Sequence, residues 1–336
     1  MQMTAPYLIA EVGMAHDGSL GTAHAYIDAL AQTGVDAVKF QVHVAEAESS
    51  LLESFRVKFS YQDENRVEYW QRTAFTVDQW RALKMHCEDL NMEFLATPFS
   101  IAAVDLLQSI GIKRFKVSSG DVNNLLLLQY LSTTGKEIIL SSGMSTLDEL
   151  DEAITLLTSR NTKVSLLQCT TAYPTLPEQW GLNVIGLFRD RYSLPVGLSD
   201  HSGDIFACLA ATALGADILE FHVVFDKQVF GPDAGASIPL YKIPSLVDGV
   251  RQIHKARENP VTKVERHCNE AMKRLFEKSL AINRSLPQGH QIRFEDLESK
   301  KTGVVGISAR HYEKILGRKL AREMKQWELI QYGDLI

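Results

Sequence analysis

The side chains with chemical potential in this sequence cluster at the ends of short apolar runs. In chain order they are Glu11; Lys39 and Gln41; Thr97; Lys116 and Ser119; Ser141 and Ser142; Thr170 and Thr171; Ser199, Asp200 and His201; Glu220 and His222. Two lysines among several hydroxyls suit an anionic ligand such as a phosphate. Two histidines at the ends of neighbouring runs, each beside an acid, suit a divalent metal whose shell is completed by oxygen ligands. Taken singly, each residue has a plainer reading. A lone histidine at a strand end is as readily a hydrogen-bonded structural group, and a lone lysine a snorkelling side chain or ion-pair partner. Ser142, Ser145 and Thr146 suit helix caps, and Glu220 suits a paired buried acid. His16 is ambiguous on spacing alone. Only joint placement at one end of one fold turns the set into a site.

The runs that must position these groups are 7–12, 36–42, 92–97, 114–118, 137–141, 163–169, 194–199 and 217–223. They are mostly uninterrupted and rich in β-branched residues, as parallel strands buried on both faces require. Between them lie segments of helical periodicity, among them Thr22–Gln32, Thr76–Leu90, Ile101–Ile110 and Thr146–Leu157. Thr76 and Ser145-Thr146 signal helix starts, and Gly34, Gly111 and Gly215 sit where helices end. Strand-then-helix units repeated in this rhythm predict an α/β fold, a (β/α)8 TIM barrel, whose chemistry gathers at the C-terminal ends of its strands. The competitor is an open doubly wound sheet, but no GxGxxG follows the first strand. Segment 43–75 is too long for an ordinary connection and predicts a functional loop over the barrel mouth.

The predicted domains are a barrel over 1–257, a polar linker over 258–274 and a small β-rich domain over 275–336. That last domain is expected to turn at Pro287-Gln288-Gly289, to hold a helix around Ala309–Leu316, and to need docking for stability. Of the 336 residues, 45% are hydrophobic and 23% charged, an ordinary globular balance. A net charge of −6 gives no electrostatic case for nucleic acid or an anionic membrane. Neither a secretion signal nor an apolar run of about 18 residues is found. Cys87, Cys169, Cys208 and Cys268 are scattered, as expected of reduced packing residues. A cytoplasmic protein is the expectation.

The same residues lie in segments that resemble the sialic acid synthase family, which includes N-acetylneuraminate, legionaminate and pseudaminate synthases. The segments are Ile9-Ala-Glu-Val-Gly13, His16-Asp-Gly18, Val38-Lys-Phe-Gln41, Ala96-Thr-Pro-Phe99, Phe115-Lys-Val-Ser-Ser-Gly-Asp121 and Leu140-Ser-Ser-Gly-Met144. Cys169-Thr170, Tyr173-Pro174, Gly197-Leu-Ser-Asp-His201, Leu219-Glu-Phe-His222 and Gly231-Pro-Asp233 follow in order. The last 60 or so residues resemble the family's antifreeze-like (SAF) domain through Lys278-Ser-Leu280, Leu286-Pro-Gln-Gly289, Glu295-Asp-Leu297 and Gly317-Arg-Lys-Leu320.

The resemblance implies condensation of phosphoenolpyruvate with an open-chain N-acylated hexosamine, giving a nonulosonic acid for surface polysaccharide. It implies manganese on His201 and His222, with magnesium or cobalt as substitutes. Lys39, Thr97, Lys116, Ser119, Ser141 and Ser199 match the phosphoenolpyruvate site, and Thr171 stands where Asn or Ser is usual. Gln41, Tyr173 and Asp233 match sugar contacts; Glu11 and Asp121 are expected to handle protons and position water. The implied assembly is a domain-swapped homodimer. Alternatives are a metal-dependent pyruvate aldolase and a catalytically inactive sugar-binding paralogue.

The departures fall on the sugar half. Ala15 replaces the usual asparagine, and Phe221 a common basic residue. Lys300-Lys301-Thr302-Gly303 stands where the family reads Lys-Arg-Pro-Gly. Lys301 would thus replace an arginine that reaches the sugar's N-acyl group, and an ammonium does not reproduce a planar fork. The expected acceptor is therefore not plain N-acetylmannosamine.

Overall fold

The computed structural model describes residues 5–262, 270–303 and 306–336, so Cys268 and part of the expected linker lie outside the described residues. The chain divides into two compact units, Met1–Asn259 and Pro260–Ile336.

In the first unit, eight parallel strands run in chain order: β1 (Tyr7–Gly13), β2 (Ala37–Val42), β3 (Glu93–Pro98), β4 (Arg114–Val117), β5 (Glu137–Ser141), β6 (Val164–Cys169), β7 (Val196–Asp200) and β8 (Ile218–Val224). Pairing of β1 with β8 closes the sheet into a barrel, which excludes the open sheet. A two-residue strand, β9 (Ile238–Pro239), adds to the upper end of β8. The helices are α1 (Leu20–Ala31), α2 (Ala45–Glu48), α3 (Arg66–Thr73), α4 (Val77–Asp89), α5 (Ile101–Ser109), α6 (Leu125–Thr133), α7 (Leu147–Thr158), α8 (Asn183–Tyr192), α9 (Phe206–Ala213) and α10 (Ile243–Glu258). Thr76 and Thr146 cap α4 and α7 through reciprocal capping boxes with Gln79 and Glu149. Gly34, Gly111 and Gly215 all have positive φ, as the turns after helices require.

Strand alternation explains what fills the barrel. Ile9, Ala37, Leu95, Ile139, Leu167 and Ile218 form a separate buried cluster inside the sheet. Two residues further along the same strands come Glu11, Lys39, Thr97, Ser141, Cys169 and Glu220. Successive side chains alternate faces, so the apolar plug and the polar layer above it arise from one period of two. The residues in between, such as Ala10, Val38, Ala96, Leu140 and Leu219, face outward and join the main core shared with the helices.

The 43–75 segment is partly structured by α2 and α3. It is held by a cluster of Met14, Ala45, Tyr69 and Trp70, with Phe55, Phe59 and Val67 packed against it. His16, by contrast, sits in an aromatic box of Phe40, Phe75 and Trp80 behind β1. Its Nδ1 accepts the Gly18 N–H at 3.1 Å.

The second unit carries α11 (Glu270–Phe276) and an antiparallel pair, β10 (Lys278–Ile282) and β11 (Leu297–Lys301). The expected helix near 309–316 is instead a kinked 3-10 segment, Ala309–Lys314. This unit nonetheless buries Leu280, Ile282, Leu286, Ile292, Ile307, Ile315, Leu320, Met324, Ile330 and Leu335 together. Short turns bring these apolar residues inward from many small pieces, which a search for long periodic runs does not register. Among the described residues, no helix is long and apolar enough to cross a membrane.

Gly197 is required by close packing between β7 and β8. A Cβ there would lie 2.1 Å from the Ile218 carbonyl oxygen and 2.7 Å from Leu167 Cδ2. Backbone does not yield as a flexible side chain does, so Gly197→Ala is expected to destabilise the barrel by about 1–3 kcal/mol. Urea unfolding of the two proteins checks this; an unchanged midpoint would show that the strands part without cost.

Candidate active site

The polar layer lines a cavity of about 340 Å³ at the C-terminal ends of the strands. At its floor stand two buried ammonium groups and two acids. Lys39 Nζ lies 2.5 Å from Glu11 Oε2 and 3.7 Å from Glu220 Oε1, and donates to Thr97 Oγ1 at 3.1 Å. Lys116 Nζ donates to Ser141 Oγ at 2.6 Å and to the Val117 carbonyl at 2.9 Å, with Glu220 Oε1 at 3.8 Å. Ser199 Oγ donates to the same Glu220 oxygen at 3.1 Å. The register makes this possible: Glu11 pairs with Lys39 on one side and His222 on the other, and Ser199 with Glu220.

Burial and charge compete at these groups. Burial works against the Lys39 ammonium, yet Glu11 and Glu220 outweigh it and hold its pKa above the ordinary lysine value. Burial prevails at Lys116, whose pKa is lowered despite Glu220. For Glu220 burial is again the largest influence, but Lys116 and Lys39 reverse it and favour the carboxylate. One acid thus serves both lysines.

The imidazoles of His201 and His222 meet on the neighbouring wall, ring centroids 5.2 Å apart. Burial first, then the proximity of His222, lowers the His201 pKa to about 3, so the ring is neutral and able to ligate. Its Nδ1 lies 3.2 Å from the Thr170 carbonyl, an outer hydrogen bond that orients the ring. The acid beside it, Asp200, is not part of this arrangement. Strand alternation turns Asp200 away, where it accepts from the Ser202 N–H at 3.0 Å and from its hydroxyl at 2.7 Å. Burial raises the Asp200 pKa to about 6. No group of three His, Cys, Asp or Glu side chains able to hold a metal occurs among the described residues. The protein donor set here is two imidazoles, which leaves further ligand positions to small-molecule oxygens.

Of the other expected residues, Gln41, Ser119, Thr171, Tyr173 and Asp233 all line the cavity. Gln41 Nε2 donates to Glu11 Oε1 at 3.0 Å. This bond needs Gly13, whose φ of +54° accompanies a register irregularity in β1 and whose Cβ would fall 3.1 Å from Glu11 Oε1. Ser119 Oγ accepts from the Gly143 N–H at 2.9 Å. Tyr173 packs 4.3 Å from the His201 ring, and burial raises its pKa. Asp121 is set behind the cavity wall, accepting from Ser118 Oγ at 2.7 Å and Asn124 Nδ2 at 3.1 Å. Thr170 is structural, its hydroxyl donating to the Gln179 carbonyl. Lys301 ends β11 in the second unit, with its ammonium 4.9 Å from the Phe276 ring centre.

Residues of the β2–α4 excursion complete the cavity and were not singled out from the sequence. His43, Glu48, Glu53, Arg56, Arg66 and Trp70 line it. Arg56 lies over the Tyr173 ring at 4.1 Å and pairs with Asp233 at 2.5 Å. His43 continues the Lys39, Gln41 alternation by one step, and that signal was available in the sequence.

Residues 26–262 match the NeuB family model, and residues 277–336 match the SAF domain. The chain belongs to the NeuB family. Over 330 residues it is 34% identical to the N,N'-diacetyllegionaminic acid synthase of Campylobacter jejuni, covering 96% of this chain and 98% of that one. It is 30% identical to the human N-acetylneuraminate-9-phosphate synthase, covering 94% of this chain and 88% of that one. Among solved structures, an N-acetylneuraminic acid synthetase from Leptospira borgpetersenii in complex with citrate superposes with a TM-score of 0.70 at 28% identity. That likeness covers 80% of this chain and 90% of the other. In this NeuB-family barrel the paired lysines and histidines converge on one cavity, whereas His16 of the His16-Asp-Gly18 segment packs among Phe40, Phe75 and Trp80.

That burial of His16 carries a pH signature. Burial first, then His43, lowers its pKa to about 3, so the folded protein keeps it neutral. Below the ordinary histidine pKa the unfolded chain binds a proton that the folded one refuses. Stability is therefore complete above about pH 6.5 and is lost as pH falls toward 3. His16→Phe is expected to show a shallower acid-side loss, by up to about 1.4 kcal/mol per pH unit. Urea midpoints from pH 7 to pH 4 provide the comparison, and parallel curves would contradict it.

Proposed function

We propose that the chain is a phosphoenolpyruvate-dependent nonulosonic acid synthase whose acceptor is an open-chain hexosamine-type aldehyde. The observation that carries this reading is the convergence of Lys39, Lys116 and the hydroxyls of Thr97, Ser141 and Ser199 with His201 and His222 in one cavity. The names of the relatives support the same class of product.

The charge balance of the floor favours a cation in the working enzyme. Lys39 and Lys116 are matched by Glu11 and Glu220, so the lysines alone present little surplus charge to a phosphate. His201 and His222, neutral and pre-oriented in the case of His201, suit a divalent metal such as manganese, with magnesium or cobalt as substitutes. When bound there, the metal supplies Lewis acidity at the acceptor carbonyl and positive charge near the donor.

The chain's own residues do the rest. Lys39, Lys116, Thr97, Ser119, Ser141, Thr171 and Ser199 hold the carboxylate and phosphate of the enolpyruvate so that its C3 faces the aldehyde carbon. Gln41, Tyr173 and Asp233 orient the sugar. Bond formation between C3 and the aldehyde leaves an oxocarbenium at C2. Water adds there and Glu11 relays its proton to the alkoxide left by the aldehyde oxygen; collapse of the tetrahedral centre to a C2 ketone then expels phosphate with C–O cleavage, the hydroxyl proton leaving with it. Asp121 acts from behind the wall, fixing the turn that carries Ser118 and Ser119. A cytoplasmic location and a domain-swapped homodimer, in which Lys301 serves the partner's acceptor, belong to the same proposal.

Incubation with manganese, phosphoenolpyruvate and a panel of hexosamine aldehydes is the test. Phosphate release with a mass gain of one pyruvate unit is expected, abolished by chelation and by His201→Ala and restored to the wild type by added metal. Turnover of pyruvate itself without phosphate release would replace the reading with an aldolase. Because Lys301 offers no fork to an acyl group, N-acetylmannosamine is expected to be used at least roughly tenfold less efficiently than the preferred acceptor. Equal kcat/KM for the two sugars would remove that distinction.

A further inference from the structure

Beyond the residues already given a part, the cavity wall holds a buried histidine in an unusually constrained setting. The His43 ring is sandwiched between Trp70, at 3.5 Å and 12° between planes, and Phe99, at 4.3 Å and 10°. Its side chain is 5% exposed. Within this slot the ring plane is fixed, and each nitrogen meets a single partner. Nδ1 lies 2.6 Å from Glu48 Oε1, and Nε2 lies 3.4 Å from Gln41 Oε1. Glu48 is itself anchored, its other oxygen accepting from the Val44 N–H at 3.3 Å.

Proton accounting along this line gives one consistent arrangement. Gln41 must turn its NH2 toward Glu11, because the reverse orientation would set a carbonyl oxygen against a carboxylate oxygen at 3.0 Å. Gln41 Oε1 then faces His43 and requires a donor, so His43 Nε2 carries a hydrogen. The contact of Nδ1 with Glu48 holds one further proton, shared between ring and carboxyl. The chain of contacts runs Glu48, His43, Gln41, Glu11 and Lys39, from the excursion after β2 to the ammonium on the cavity floor.

The geometry points to His43 as a positioning residue: held by Glu48 and clamped between Trp70 and Phe99, it locks the Gln41 amide in the orientation that keeps Glu11 against Lys39. His43 touches no reacting atom in this role; it acts through Gln41. The excursion between β2 and α4 thereby does more than cover the mouth, since Glu48 and Trp70 both belong to it.

The role rests on the reaction proposed above, so two readouts are used, one of which needs no turnover. His43→Phe fills the aromatic slot but removes the donor. His43→Gln places an amide N–H near the lost Nε2–H, and Glu48→Gln can donate to Nδ1 and so retain the Nε2–H tautomer. The expected order of kcat is wild type, then Glu48→Gln and His43→Gln, then His43→Phe, with His43→Phe reduced roughly tenfold or more. Melting temperatures should not follow that order. In parallel, the Gln41 side-chain amide resonance, identified by its loss in Gln41→Leu, should be sharp in the wild type and in Glu48→Gln but shifted and broadened in His43→Phe.

Wild-type kcat and an unchanged Gln41 signal in His43→Phe would overturn the role. So would equal losses in all three variants, which would reduce His43 to packing. If the wild type turns over no acceptor, the proposed reaction fails, and the amide signal alone decides whether His43 locks Gln41.

Discussion

Two ammonium groups buried at the floor of a closed barrel demand acids within reach, and the site is arranged around that demand. Glu220 stands between Lys39 and Lys116 at 3.7 and 3.8 Å, and Glu11 takes the remaining side of Lys39. An uncompensated buried charge costs several kcal/mol, so none of the four is free to move without penalty to the others. The hydroxyls of Thr97, Ser141 and Ser199 complete the shell and hold each charged group in one place. The floor is thereby held in place and nearly balanced in charge.

The wall above the floor is built differently. His201 and His222 come from the last two strands and are aligned by backbone and ring contacts rather than by ion pairs. Another part of the wall comes from the excursion after β2, whose own aromatic cluster gives it enough core to hold a shape. Rigid strands thus carry the paired charges, while the excursion brings Arg56, Glu48 and Trp70 to the cavity lining.

Much of this was legible in the chain. The eight apolar runs correspond to the eight strands within a few residues, because strands buried on both faces leave an unmistakable apolar signature. Most of the groups at their ends, though not Ser142, Thr170 or Asp200, reached the cavity for the same reason: in a parallel barrel every strand end of one polarity opens to one side. The departures have local causes. Asp200 lies one residue from an inward-facing position and so points away, and Asp121 is consumed by its own turn. His16 carries the chemistry of a ligand but lies among aromatic rings.

By itself, then, the sequence determined the barrel, the polar layer above the apolar plug, and which lysines and histidines belong to that layer. Periodicity and strand polarity are local properties, and they propagate through a closed sheet without further information. Only the tertiary structure decided that Glu220 serves both lysines, that Arg56 spans 177 residues of chain to meet Asp233, and that His43 lies clamped between Trp70 and Phe99. Those relations depend on the path of an irregular excursion and on side-chain distances across the barrel, and no spacing along the chain encodes either.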